Sequence, residues 1–144
     1  MSEESAPAEP VALTRRTYAA LNGRDFDTVL GMFDPVAVWD VSRWGLGTHA
    51  GLKAIRHFLE DWFGSLERYD VRIEEIHDLG NGVIWLVVLQ IAHTAGSRSL
   101  IRARSAPVFV WAECRIKRVT VYPDIDEARA AAEDLAEQGG HVDV

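Results

Sequence analysis

From Tyr69 to Tyr122 the sequence alternates with a period of two for most of its length. A chain that keeps this pattern for so long buries its apolar residues by pairing strands, so a sheet is dictated before any other element is considered. Tyr69, Val71 and Ile73 alternate with Asp70, Arg72 and Glu74, and the doublet Glu74-Glu75 predicts a bulge that shifts the face before Ile76. Gly80-Asn81-Gly82 and Ala95-Gly96-Ser97 carry turn signals. Between them Val83 to Thr94 is apolar on both faces, which predicts a central strand. With Arg98 to Trp111 and Arg115 to Tyr122 the pattern gives an antiparallel meander whose long strands curl.

The flanking segments keep a helical period. Pro10 suits a first helical turn, and Val11, Thr14, Tyr18 and Leu21 recur at three- and four-residue steps until Asn22-Gly23. Asp25 predicts an N-cap for a short helix carrying Phe26, Val29, Leu30 and Phe33, ended by Asp34-Pro35. Val36 to Asp40 then reads as a short strand, and the glycine-rich stretch Ser42 to Gly51 as a loop at a rim. Leu52, Ile55, Phe58, Leu59, Trp62, Phe63 and Leu66 form a wide apolar stripe, the signature of an amphipathic helix with one face buried. Asp124 to Glu127 predicts a capping box for a last helix that ends at Gly139-Gly140. The expected fold class is α+β: a cone-shaped, curved antiparallel sheet wrapped on the long amphipathic helix. One domain is expected at residues 10–137, between disordered tails at 1–9 and 138–144.

Composition narrows the function. A chain of 144 residues with 48% apolar and 26% charged side chains can bury a core without disulfide or metal support. The net charge of −7 is partly a property of the tails, which hold Glu3, Glu4, Glu9 and Asp143. No basic stretch offers a footprint for nucleic acid or anionic lipid, and no apolar run is long enough to span a membrane. The single Cys114 forms no internal disulfide, and His49, His57, His77, His93 and His141 lack ligand spacing. The expectation is a cytoplasmic protein with no metal, no cofactor, no nucleic-acid partner and no membrane association.

Asp40 is the strongest candidate for chemistry. A carboxylate hemmed in by Trp39 and Val38 is costly to ionise unless paired, and burial of this kind raises a pKa toward the range useful for proton transfer. A structural ion pair or a loop cap is the competing reading. His49 is a candidate acid or base because an imidazole titrates near neutrality. Gln90 interrupts the apolar face of Ile84, Leu86 and Val88, where an amide orients a ligand or satisfies a neighbouring polar group. Trp44, Phe58, Trp62 and Val119 are candidate walls of an apolar pocket for a small hydrophobic molecule. Both faces of Arg98–Trp111 are apolar, so alternation leaves open which one points into the cone.

The element order resembles the SnoaL-like family, within the superfamily of nuclear transport factor two and ketosteroid isomerase. The resemblance rests on Val36-Ala-Val-Trp-Asp40, Thr48-His-Ala-Gly51, Cys114-Arg-Ile-Lys-Arg-Val-Thr-Val-Tyr122 and Asp124-Ile-Asp-Glu-Ala128. It implies an isomerase, cyclase or hydrolase without a cofactor, acting on a hydrophobic carbonyl or epoxide compound, or else a non-catalytic binding or dimerisation module. It places Asp40 on the isomerase general base and Tyr18 near the isomerase tyrosine that hydrogen-bonds the oxyanion. Its register favours the even-numbered face of Leu100 to Val110, which would put Arg104 inside the cone beside Asp40. Ala106 stands where the isomerase has its protonated aspartate, and Arg102-Ala-Arg104 lacks the carboxylates of an epoxide hydrolase triad. The outward strip Val83, Trp85, Val87 and Leu89 predicts a homodimer through the sheet.

Overall fold

The computed structural model describes residues 9–139 apart from Ala95 and Ser97. Helix α1 (Pro10–Asn22) starts with proline in its first turn. At its end the Asn22 amide donates to the Val71 carbonyl and accepts from the Val71 N–H, both at 2.9 Å, which pins the helix to the sheet. Asp25 caps α2 (Phe26–Gly31) by accepting from the Thr28 N–H. This helix is shorter than its periodicity suggests. Phe33 opens strand β1 (Phe33–Asp40) opposite Ile116 and is fully buried, so sheet pairing prevails over a fourth helical contact.

The segment expected to be an irregular loop contains two short elements, a single 3-10 turn at Ser42–Trp44 and strand β2 (Thr48–Ala50). Strand β2 pairs antiparallel with β1, His49 facing Trp39 and Thr48 facing Asp40. Helix α3 (Leu52–Gly64) buries Ile55, Leu59 and Phe63. Strands β3 (Leu66–Gly80), β4 (Val83–Thr94), β5 (Leu100–Ala112) and β6 (Arg115–Tyr122) form the expected meander. Helix α4 (Ile125–Glu137) closes the described chain, capped by Asp124, which accepts from the Glu127 N–H.

The six strands lie in the order β2-β1-β6-β5-β4-β3, and β1 runs parallel to β6. That parallel pair extends the predicted meander, as the long stretch of chain between the two strands permits. The architecture is α+β. Of the expected tails only Glu9, Gln138 and Gly139 are among the described residues, and of the turn at Ala95-Gly96-Ser97 only Gly96 is. Among the described residues no helix is long and apolar enough to cross a membrane.

Register assigns every side chain to a face. The predicted bulge is present: Ile73 faces Val88 and Glu75 faces Val87, leaving Glu74 as the extra residue. Another bulge, at Lys117, lies between Ile116 opposite Trp111 and Arg118 opposite Val110. Trp39, Val119, Phe109 and Ile84 lie in register across four strands and face α1 and α3. Asp40, Thr120, Val108 and Trp85 form the adjoining row and face the other way.

Helix α4 covers that second face. Val83, Trp85 and Val87 pack with Ala128, Ala132 and Leu135 and are at most 5% exposed. The strip that predicted a dimer is therefore covered by the chain's own last helix, and Leu89 beyond it is only half-buried. The burial demand on which the homodimer expectation rested is met within the chain.

Candidate functional site

The inner face of the sheet does not close completely on α1 and α3. A cavity of about 460 Å3 remains, a volume that suits a small-molecule site. Helix α3 supplies Phe58 and Trp62 to its wall, the 3-10 turn supplies Trp44, and β1 supplies Trp39. The aromatic rings are in mutual contact. Phe58 stacks with Trp62 at 6.4 Å between centroids, and Trp62 meets Tyr69 edge-on at 6.1 Å.

Polar groups in the wall are few and uncharged. The Tyr69 hydroxyl donates to the Gln90 side-chain oxygen at 2.7 Å, and the Gln90 amide nitrogen donates to the Ser105 hydroxyl oxygen at 2.8 Å. This chain crosses three strands, because Tyr69, Gln90 and Ser105 all fall on the inner side of the pleat. Tyr18 reaches the same cavity from α1 and packs edge-on against Phe109 at 5.9 Å. Burial pushes the Tyr18 and Tyr69 phenols well above their ordinary value, with the neighbouring Tyr69 adding to the effect on Tyr18. Both are neutral hydroxyls at any physiological pH. Among the described residues no Asp, Glu, His, Lys, Arg or Cys is in the wall.

Asp40 is not in the cavity. Its strand neighbour Trp39 is, since the parallel pairing of Asp40 with Thr120 turns the carboxylate to the face beneath α4. There Asp40 is 7% exposed and fully engaged. One carboxylate oxygen accepts from the Ser42 N–H at 3.0 Å, the Ser42 hydroxyl at 2.6 Å and the Thr48 hydroxyl at 3.1 Å. The other accepts from Arg118 at 3.1 Å, with Arg43 at 3.7 Å. Burial raises the carboxyl pKa, but the Ser42 and Thr48 bonds and the Arg118 charge outweigh it and hold the group below its ordinary value. The expectation of a raised pKa inside the cone is thus corrected on both counts. The cleft that Asp40 lines, about 420 Å3, is polar and also holds Arg43, Arg118, Thr120 and Tyr122.

Arg104 is corrected in the same way. Its side chain is 59% exposed on the outer face and pairs with the bulged Glu74 at 2.6 Å and 3.1 Å. The odd-numbered residues of β5 are the inward ones: Ile101, Ala103, Ser105 and Pro107 line the cavity. His49 lies behind the wall rather than in it, stacked on Phe58 at 4.4 Å between centroids with its Nε2 2.9 Å from the Leu46 carbonyl oxygen. Val119 is fully packed core, and Val121 takes the wall position two residues on. Tyr18, Gln90, Trp44, Phe58 and Trp62 all line the cavity.

Sequence reasoning missed Trp39, Tyr69 and Ser105. The signal for Tyr69 was available, because it opens the alternating run Tyr69, Val71, Ile73 whose faces the sheet then fixes. Ser105 was hidden by the wrong choice of face for β5. Among the described residues no group of three or more His, Cys, Asp or Glu side chains is gathered where a metal ion would need them.

Comparison with known proteins agrees with the architecture. A solved NTF2-like protein of unknown function from Burkholderia pseudomallei matches with a TM-score of 0.72 at 19% identity, covering 83% of this chain and 94% of that one. TerC, co-crystallised with polyporic acid, matches with a TM-score of 0.70 at 16% identity, covering 86% and 98%. A protein of ketosteroid isomerase-like fold from Catenulispora acidiphila, in complex with trimethylamine, matches with a TM-score of 0.69 at 14% identity, covering 76% and 83%. At these identities the likeness is one of fold. No curated protein is similar enough to be matched. The model of the SnoaL-like domain matches residues 14–119, and the chain belongs to that family.

Proposed function

We propose that this protein takes a neutral, largely apolar small molecule into the cavity between α3 and the inner face of the sheet, and that it does so without a carboxylate base. The observation that carries this reading is the composition of the wall: aromatic and aliphatic, with hydroxyls, indole N–H groups and one amide as its polar groups and, among the described residues, no side chain that is charged at neutral pH. An ion entering such a site gives up its hydration with no opposite charge to replace it, whereas an uncharged aromatic or alicyclic molecule gains contact with Trp39, Trp44, Phe58 and Trp62. The SnoaL-like fold serves isomerases, cyclases and ligand-binding proteins alike. Here Asp40 is ion-paired on the opposite side of the sheet, which favours the binding reading over the general-base one.

Tryptophan fluorescence tests it, because Trp39, Trp44 and Trp62 are in the wall. Acetylnaphthalene, a neutral bicyclic ketone, is expected to quench that emission with a saturable Kd, and naphthoate, its anionic counterpart, to bind far more weakly at neutral pH. Ala92→Phe places a phenyl ring in the cavity opposite Tyr69 and is expected to abolish ketone binding while Asp40→Asn retains it. Naphthoate binding as tightly as the ketone, or binding indifferent to Ala92→Phe, would refute the proposal.

A further inference from the structure

The hydrogen-bond inventory of the cavity is unbalanced, and the imbalance specifies the ligand's polar group. In the Tyr69–Gln90–Ser105 chain the Tyr69 hydrogen goes to Gln90 and a Gln90 hydrogen goes to Ser105. The Ser105 hydroxyl hydrogen is left with no acceptor among the described residues, although Ser105 is only 1% exposed. Turning the Gln90 amide over does not remove the surplus. Ser105 would then donate to Gln90 and Gln90 to Tyr69, freeing the Tyr69 hydrogen instead. In either arrangement one hydroxyl hydrogen and the second Gln90 N–H remain to be used. The Tyr18 hydroxyl, in the same wall and on a residue 8% exposed, also has no partner among the described residues. An acceptor placed here satisfies donor hydrogens that otherwise stay unpaired in an apolar enclosure, an omission that costs more than a hydroxyl lone pair left unused.

Resting on the binding reading above, we infer that the cavity selects a ligand whose polar atom is a hydrogen-bond acceptor, a ketone or quinone oxygen, and that Ser105, Gln90 and Tyr69 determine this specificity. The carbonyl lies against the Tyr69–Gln90–Ser105 chain and the hydrocarbon skeleton against the aromatic wall.

The test compares acetylnaphthalene with isopropenylnaphthalene, in which a methylene replaces the carbonyl oxygen, on wild type, Ser105→Ala, Ser105→Thr and Gln90→Leu. Because the two probes partition differently from water, the quantity read is how their affinity ratio changes between wild type and variant. The ratio is expected to shift against the ketone by about fivefold in Ser105→Ala and in Gln90→Leu, the worth of one neutral hydrogen bond, and to recover in Ser105→Thr. On wild type alone, the infrared carbonyl stretch of bound acetylnaphthalene is expected to fall below its frequency in hexane, a readout that needs no variant to fold. A hexane-like stretch, or a ratio unchanged in both variants, overturns the acceptor specificity and leaves the binding reading standing. Failure of both probes to bind wild type overturns the binding reading itself.

Discussion

Replacing Asp40 by asparagine separates a structural carboxylate from a catalytic one. Asparagine keeps a carbonyl oxygen for the Ser42 and Thr48 donors but sets an N–H2 against Arg118, where the second carboxylate oxygen accepts at 3.1 Å. Removing one partner of a buried ion pair costs roughly 3–5 kcal/mol, because the remaining charge stays desolvated. Arg118 keeps 27% of its side chain exposed, so water recovers part of the loss and a value below that range, about 2 kcal/mol, is expected. In a domain of this size that lowers Tm by about 6–10 °C. The pH dependence follows from the sign of the shift: the folded-state pKa lies below the ordinary carboxyl value of 3.8. The ionised group therefore contributes its stabilisation in full well above 3.8 and loses it as pH falls through the depressed folded value. Urea titrations should show a constant gap between wild type and Asp40→Asn near neutrality and a narrowing gap below 3.8, with acetylnaphthalene affinity unchanged. A variant as stable as wild type but unable to bind the ketone would refute this account of Asp40.

Gly82→Ala is expected to destabilise severely, by about 3 kcal/mol or more in urea, since a Cβ there would lie 2.0 Å from the Trp111 carbonyl oxygen on a backbone at φ +79°. Thr14→Val leaves the buried Trp111 indole N–H, now donating to the Thr14 hydroxyl at 3.0 Å, without an acceptor, and should cost about 1–3 kcal/mol by the same measurement. Arg104→Ala, which breaks an exposed pair with Glu74, is expected to leave acetylnaphthalene affinity unchanged; a loss of binding would place Arg104 in the site after all.

The sequence carried the elements well because local rules govern them. The caps at Asp25 and Asp124, the bulge at Glu74 and the apolar stripe of α3 each depend on residues a few positions apart. It carried the site less well because the site depends on parity between strands distant in sequence. On β4 the inward residues are even-numbered, Ile84 to Ala92, whereas the pairs Val88 with Ser105 and Gln90 with Ala103 make the odd residues of β5 inward. A hairpin one residue longer or shorter reverses that assignment, and the turn residues alone did not fix its length. Arg104 and Ser105 exchanged places for this reason, as did Trp39 and Asp40 where β1 docks in parallel on β6.

That parity also explains how one sheet keeps two unlike environments a few ångströms apart. Along β6, Val119 and Val121 point to the apolar side while Arg118, Thr120 and Tyr122 point to the polar cleft, and Asp40 joins the second set because it faces Thr120. Bringing Asp40 into the cavity would require β1 to slip by one residue. The slip would at the same time expel Trp39 from its contact with Phe58 on α3, which places the ring centroids 6.0 Å apart, and would break the Thr48 and Arg118 bonds. Each loss opposes the movement, so the carboxylate holds the strand in the register that keeps the cavity neutral. Asp40 is thus one of several contacts that keep Trp39 on the inner side of the sheet.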